Sequence, residues 1–305
     1  MMTQEPEVVR DAIELGQDRG LTEKTAGVLQ TIFASDTHAK AKKRAAICGD
    51  MTDGNARQPT VKFCPVCSND LTVFLPLCAD YQRTYTQFNQ AHPIDRYETL
   101  NRLEYACPHC TASDRDRLMA SYFLHDSAAG RGSASRRILE IAPSRPLGHL
   151  LRSHGTEYRS ADLFDPSAMD RVDITDMNIY PEGRFDWVIC SHVLEHVMDD
   201  AAALREIHRI LAPGGKAMLL VPIPRDLRTT DELSTGEDAS EAERVRRFGQ
   251  NDHIRMYSKH GFAQRIRTAG FDLTLVDQAY FPAGTFEVLG LQESACLYIA
   301  VRAAV

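Results

Sequence analysis

From residue 138 onward the apolar positions fall into two rhythms. Trp187 to Cys190 is short, continuous and apolar, the character of a strand buried on both faces of a parallel sheet. Ile138 to Ala142, Tyr158 to Asp162, Lys216 to Val221, Phe271 to Val276 and Ala295 to Val301 are further strand-length runs, with one more short strand around Val172. Between them, Leu204, Ile207 and Leu211 share one helical face, and Phe262 and Ile266 lie on another. Asp199 and Asp200 open the first of these helices, where acids complement the macrodipole; Pro213 stops it, and Gly214-Gly215 turns the chain into the next strand. Strands alternating with helices predict an α/β domain with a mostly parallel sheet.

Upstream the pattern changes. Residues 1–60 place Val8, Val9 and Ile13, then Leu29, Ile32 and Phe33, at helix-like spacings separated by Gly20. Lys40, Lys42, Lys43 and Arg44 read as a solvated helix face, with a nucleic-acid footprint as the alternative. Asp50 to Pro59 reads as a linker. Beyond it, Cys64-Pro-Val-Cys67 and Cys107-Pro-His-Cys110 form two turns, each able to aim two thiolates at one ion. Together Cys64, Cys67, Cys107 and Cys110 predict a structural four-cysteine zinc site. Phe74, Tyr81, Tyr85, Phe88 and Tyr97, in the long interval between the turns, are read as packing a small core that needs the metal. A cover over a substrate pocket is the alternative. Cys48, Cys78, Cys190 and Cys296 lack such pairing and are read as core thiols.

Composition narrows the picture. A chain of 305 residues, 43% hydrophobic and 25% charged, is long enough for an α/β core and a smaller unit. Its net charge of −7 supplies no general field for a phosphate backbone, which argues against nucleic acid as a partner. No signal pattern opens the chain and no apolar run approaches a membrane span, so a cytoplasmic location without a membrane partner is expected. The expected division is a helical segment 1–60, a zinc unit with its connecting helix 61–132, and an α/β domain 133–305. That domain carries a polar stretch read as a lid, 223–250, for which a plain mobile loop is the alternative.

The chemistry is expected in the crevice at the carboxyl ends of the strands. Ser191, His192, Glu195 and His196 follow the Trp187 strand directly. Glu140 lies in the first strand, which runs into Ala142-Pro143-Ser144 with no G-x-G-x-x-G, a poor cradle for a pyrophosphate. A nucleoside without phosphates needs less. Asp162 ends the second strand at the position and spacing of an acid that accepts from a ribose diol. Asp173 can accept from an adenine amino group while Ile174 lies against the base.

These residues resemble the class I S-adenosylmethionine-dependent methyltransferases. The likeness runs from Leu139-Glu140-Ile141 through Asp162 and Asp173-Ile174 to Phe185-Asp186, His192-Val193-Leu194-Glu195-His196 and Pro213-Gly214-Gly215. Phe248-Gly-Gln-Asn-Asp-His-Ile-Arg-Met-Tyr257, Arg115, Arg117 and the paired cysteine turns are similar to a bacterial subgroup with an amino-terminal zinc motif. Ser258 stands where that subgroup has Gly, and Ala142-Pro143-Ser144 replaces the usual Gly-rich turn. The resemblance implies a Rossmann-like, mostly parallel seven-stranded sheet flanked by helices, preceded by the helical segment and the zinc unit. It also implies S-adenosylmethionine held by Glu140, Ala142, Pro143, Asp162, Leu163, Asp173, Ile174, Ser191 and His192, with zinc as a structural ion.

Methyl transfer from a sulfonium needs acceptor and methyl held in line, and a base only where the acceptor must lose a proton. His192, His253 and Tyr257 are the catalytic candidates; His192 as a cofactor contact and His253 as a packing residue are equal alternatives, and His196 is read as structural. Arg115 and Arg117 either face the acceptor or are exposed arginines at a helix start. The acceptor is expected to be a small molecule, peptide or sugar intermediate. A rival reading is an RNA methyltransferase or a zinc-ribbon nucleic-acid module using Lys40 to Arg44, Arg131, Arg136 and Arg137. A remote one is a zinc peptidase, because His192 to His196 spells H-x-x-E-H.

Overall fold

The computed structural model describes residues 61–304, apart from 80, 82, 84–86, 88, 129–135 and 235. The helical reading of 1–60, the Lys40–Arg44 cluster, the linker, Cys48, Tyr85, Phe88 and Arg131 lie outside the described residues. Two short strands, β1 (Lys62–Cys64) and β2 (Asn69–Leu71), pair antiparallel as a hairpin whose turn carries Cys67. A long helix α1 (Asp114–Ala128) then leads to the main sheet.

That sheet has seven strands in the order β10-β11-β7-β6-β3-β4-β5. Strand β3 (Arg137–Ile141), helix α2 (Arg145–His154), β4 (Glu157–Asp162) and the two-residue β5 (Asp170–Arg171) build one half. The chain then returns to the other side of β3 through β6 (Phe185–Ser191), helix α3 (Asp200–Ile210) and β7 (Leu211–Leu220). The pairs β3–β4, β4–β5, β3–β6 and β6–β7 are parallel. Helix α5 (Lys259–Thr268) and β10 (Asp272–Val276) follow, then a short helix α6 (Thr285–Val288), and β11 (Leu297–Val301) slots in antiparallel to both β10 and β7. The chain therefore reverses its direction of sheet building between β3 and β6, the place where open α/β sheets form a crevice.

Alternation along the strands divides the core into two layers. Leu139, Ile141, Val188, Cys190, Ala217 and Leu219 face α3 and α5, where Leu204, Ile207, Phe262 and Ile266 meet them. Ile138, Trp187, Ile189, Met218 and Leu220 face α1, α2 and α6, against Met119, Phe123, Leu147, Leu151 and Phe286. The strands are thus covered on both sides, as their unbroken apolar runs require. Asp199 caps α3, its Oδ1 accepting the Ala202 amide at 2.8 Å, and the helix ends at Ile210, so Leu211, expected on its apolar face, and Pro213-Gly214-Gly215, expected to stop it and turn, already lie in β7.

Several expectations need correction. The aromatics between the cysteine turns do not form one private core: Phe74 packs by the cysteines, whereas Tyr97 joins Leu233, Phe248, Ile254 and Met256 on the main domain. Cys78 is exposed, while Cys190 and Cys296 are buried. The polar stretch 223–250 is not the plain mobile loop that was the alternative to a lid: β8 (Asp231–Glu232) pairs antiparallel with β9 (Arg255–Met256), and helix α4 (Glu241–Phe248) lies between them. Arg247 ties α4 to Asp231 at 2.6 Å and to Glu237 at 2.7 Å, so the polar composition is spent on ion pairs within the segment. Arg117 is neither exposed nor turned toward an acceptor; it is wholly buried. Its guanidinium donates to the carbonyls of Glu104, Tyr105, Ala112, Leu289 and Gly290, which uses all five of its N–H groups, and it stacks on Phe74.

Candidate active site

A cavity of about 280 Å³ opens at the carboxyl ends of β3 and β6. The sheet supplies Glu140, Ile141, Ala142, Ile189, Ser191 and His192 to its wall. Ser144, Pro146 and Leu147 come from the start of α2. The cysteine-bearing segment supplies Tyr105 and Thr111, and the start of α1 supplies Ser113, Asp116 and Met119, all unforeseen from the sequence, together with Arg115, for which facing the acceptor was one of two readings. Thr111 directly follows Cys110, so the cavity wall begins one residue from a cysteine of the cluster. The signal was present in the polar Ser113-Asp-Arg-Asp run placed just after the second cysteine turn.

The backbone at the floor is unusual in the same way on two neighbouring strands. Ala142, directly after β3, has φ +50, and His192, directly after β6, has φ +57, both left-handed conformations that residues with a Cβ rarely adopt. Each is held by the sheet beside it: the Ala142 amide donates to Ala161 at 2.9 Å and the His192 amide to Leu220 at 2.8 Å. Strain of this kind concentrates where a ligand is gripped.

Glu140 is buried and accepts the Tyr158 hydroxyl at 2.6 Å and the Ser144 amide at 2.9 Å. Burial pushes its carboxyl up to about 7, against the opposite pull of those two donors. The bond to Ser144 fixes the turn that carries Pro143. Burial also pushes His192 down to about 4, with the nearby Arg115 guanidinium adding to the effect and Glu195 opposing it. His192 therefore carries a lone pair rather than a charge at neutral pH.

The remaining predicted residues are placed unevenly. Asp162 ends β4 and is not among the residues of the cavity wall; its Oδ1 accepts the amides of Phe164 and Asp165 at 2.7 and 2.8 Å. Leu163 follows it, half-buried. Asp173 is exposed and accepts from the amide and hydroxyl of Thr175, whereas Ile174 is part of the hydrophobic core. Pro143 is half-buried between two cavity residues. The structure does not bring His253 or Tyr257 to the cavity. Tyr257 is fully buried and its hydroxyl donates to Asp200 at 2.6 Å. His253 is buried, its Nδ1 2.8 Å from the Phe248 carbonyl. The segment 248–257, similar to the subgroup motif, grips the turn after β6: the Ile254 amide donates to the Glu195 carbonyl, and Arg255 donates to those of Leu194, Val197 and Met198.

The four cysteines converge as their spacing predicts. Cys64 and Cys110 have their sulfurs 3.7 Å apart, and Cys67 and Cys107 theirs 3.8 Å apart. A tetrahedron with metal–sulfur bonds of about 2.3 Å sets its sulfurs roughly 3.8 Å apart, so the donor set fits zinc. The H-x-x-E-H reading does not hold, because His192 directly follows a strand and residues 194–196 form a single 3-10 turn, so the two histidines do not share a helical face.

A doubly covered parallel sheet with β11 antiparallel, and a cavity at its switch point, defines the Rossmann-like class I methyltransferase fold. The family model described as methyltransferase domain matches residues 112–276, more than half of the chain, and the chain belongs to that family of class I S-adenosylmethionine-dependent methyltransferases. The match takes in α1. Local sequence likeness is 35% identity over 65 residues to ajmaline N-methyltransferase of Rauvolfia serpentina, covering 21% of this chain and 22% of that protein. It is 49% over 37 residues to the ubiquinone biosynthesis O-methyltransferase of Pseudomonas aeruginosa, covering 12% of this chain and 16% of that one. The chain thus spans about a fifth of the length of the curated relatives it matches. A solved S-adenosylmethionine-dependent methyltransferase from Mesorhizobium loti is 15% identical with a TM-score of 0.41, over 58% of this chain and 97% of that one.

Proposed function

We propose that this chain transfers the methyl group of S-adenosylmethionine to an oxygen, nitrogen or other nucleophile of a small-molecule, peptide or sugar intermediate. The observation that carries this reading is the cavity at the switch point, floored by Glu140, Ala142, Ser191 and His192. The cofactor supplies an electrophilic methyl, so the protein's work is to hold it in line with the acceptor and to exclude water. Glu140 holds the turn at Ala142 and Ser144, Asp162 receives the ribose diol, and His192 offers its lone pair to the cofactor or to an acceptor proton. The four cysteines hold a structural zinc ion that fixes the wall from Tyr105 to Asp116. The nucleic-acid reading loses support, because Arg137, one of its proposed contacts, is paired with Asp186 at 2.9 Å.

Binding of S-adenosylhomocysteine, measured by calorimetry on the full chain, tests this. Asp162→Asn keeps an oxygen for the Phe164 and Asp165 amides but removes the charge offered to the diol, and weakens binding about 10-fold or more. Absence of binding by the unsubstituted chain overturns the reading.

A further inference from the structure

Behind His192 the fold leaves two buried acceptors near each other without a donor. Glu195 is 0% exposed, and neither carboxylate oxygen receives a hydrogen bond; its neighbour His192 has Nδ1 3.3 Å from Oε1. His253 is 2% exposed and commits Nδ1 to the Phe248 carbonyl. A carbonyl only accepts, so Nδ1 carries the proton and Nε2 is left with its lone pair. That Nε2 is also buried and without a partner. His196 completes the group. Its ring meets that of His253 edge to face, centroids 4.6 Å apart, and its Nδ1 lies 3.3 Å from Asp252 Oδ2. One ligand atom each from Glu195, His196 and His253 lies within 4.8 Å of the others.

A carboxylate and an imidazole lone pair buried side by side are costly unless something positive stands between them. We propose that Glu195, His196 and His253 bind a divalent first-row transition ion, at a site separate from the four cysteines. Two imidazoles and one carboxylate, with no thiolate, are a common donor set for such ions. The groups that orient metal-bound imidazoles are already in place: the Phe248 carbonyl on His253 and the Asp252 carboxylate on His196. Asp252 and His253 reach the turn after β6 because the neighbouring Ile254 amide is bonded to the Glu195 carbonyl at 3.0 Å. His192 is not one of the three ligands, yet it touches Glu195 and lines the cavity, so the ion stands one side chain behind the cavity wall. Three protein ligands leave coordination positions open.

The test uses the full chain expressed in cobalt-supplemented medium, so that both sites load without stripping, followed by dialysis against micromolar Co2+ and a metal count. Thiolate-bound cobalt has an intense near-ultraviolet charge-transfer band, whereas cobalt on nitrogen and oxygen has only weak visible bands. The unsubstituted chain is expected to hold two ions, one with each signature. Glu195→Gln and His196→Ala each retain one, with the thiolate band unchanged, which shows that the variant is folded around its cysteines. Asp252→Asn weakens the second site about 10- to 100-fold. A single ion in the unsubstituted chain, or a second ion that persists in both ligand variants, overturns the proposal.

Discussion

At Ala142 a methyl group sits on a backbone that glycine adopts without cost. The residue is exposed to the cavity, with φ +50, so its side chain contributes little packing while its conformation is strained. Ala142→Gly relieves that strain but frees the unfolded chain, and the balance is a stabilisation of about 0.5–1 kcal/mol. Thermal unfolding should show a rise in Tm of about 1–4 °C, and an unchanged or lower Tm would show that the turn is relaxed as it stands. The sequence displayed the missing glycine plainly but not its conformational consequence, because the positive φ is imposed by the neighbouring strand. Likewise the surroundings of His253 and Tyr257 were hidden: both types titrate, but the Asp200 carboxylate that Tyr257 meets lies 57 positions away in sequence, and nothing in the pattern shows that His253 turns its Nδ1 to the Phe248 carbonyl.

Among the elements, the parallel strands and helices α3 and α5 were legible, since their apolar spacing follows directly from burial on one or both faces. The helix α1 was also expected, but what its amino-terminal turn does was less legible, because that turn serves the cavity and carries polar residues where a core helix would be apolar. Arg117 is the clearest instance. From the sequence it is an arginine at a helix start; in the structure it joins the zinc unit, α1 and the end of α6 through five carbonyls. Arg117→Ala strands those carbonyls in a buried place and should cost about 3–5 kcal/mol, read from denaturant midpoints. Arg117→Lys recovers only a minor part, because an ammonium has three donors and no planar face to lay on Phe74. A lysine variant as stable as the parent would show that charge alone matters there.

Across the whole molecule, the cysteine cluster and the methyltransferase sheet share a wall rather than a linker. Tyr105, Thr111, Ser113, Arg115 and Asp116 are cavity residues held by the geometry of Cys107 and Cys110. Loss of the ion should therefore reach the cofactor. Chelation, or Cys110→Ser, is expected to weaken S-adenosylhomocysteine binding about 10-fold or more while the sheet stays folded, as calorimetry and circular dichroism would report. Unchanged affinity would mean that the wall stands without metal. Composition did not show this shared wall, because a change in composition marks where a chain changes character and not where two units touch.

The Arg117 clamp also has a history within each molecule's synthesis. Two of its five acceptors, Leu289 and Gly290, are encoded 172 and 173 positions later. At ordinary ribosomal rates they arrive about 10 to 35 s after the arginine itself. Throughout that interval the guanidinium lacks two of the five carbonyls it meets in the folded chain. The segment around Arg117 is thus completed only by the last part of the sheet domain, and a ribosome that stalls before residue 290 leaves that clamp short of two acceptors.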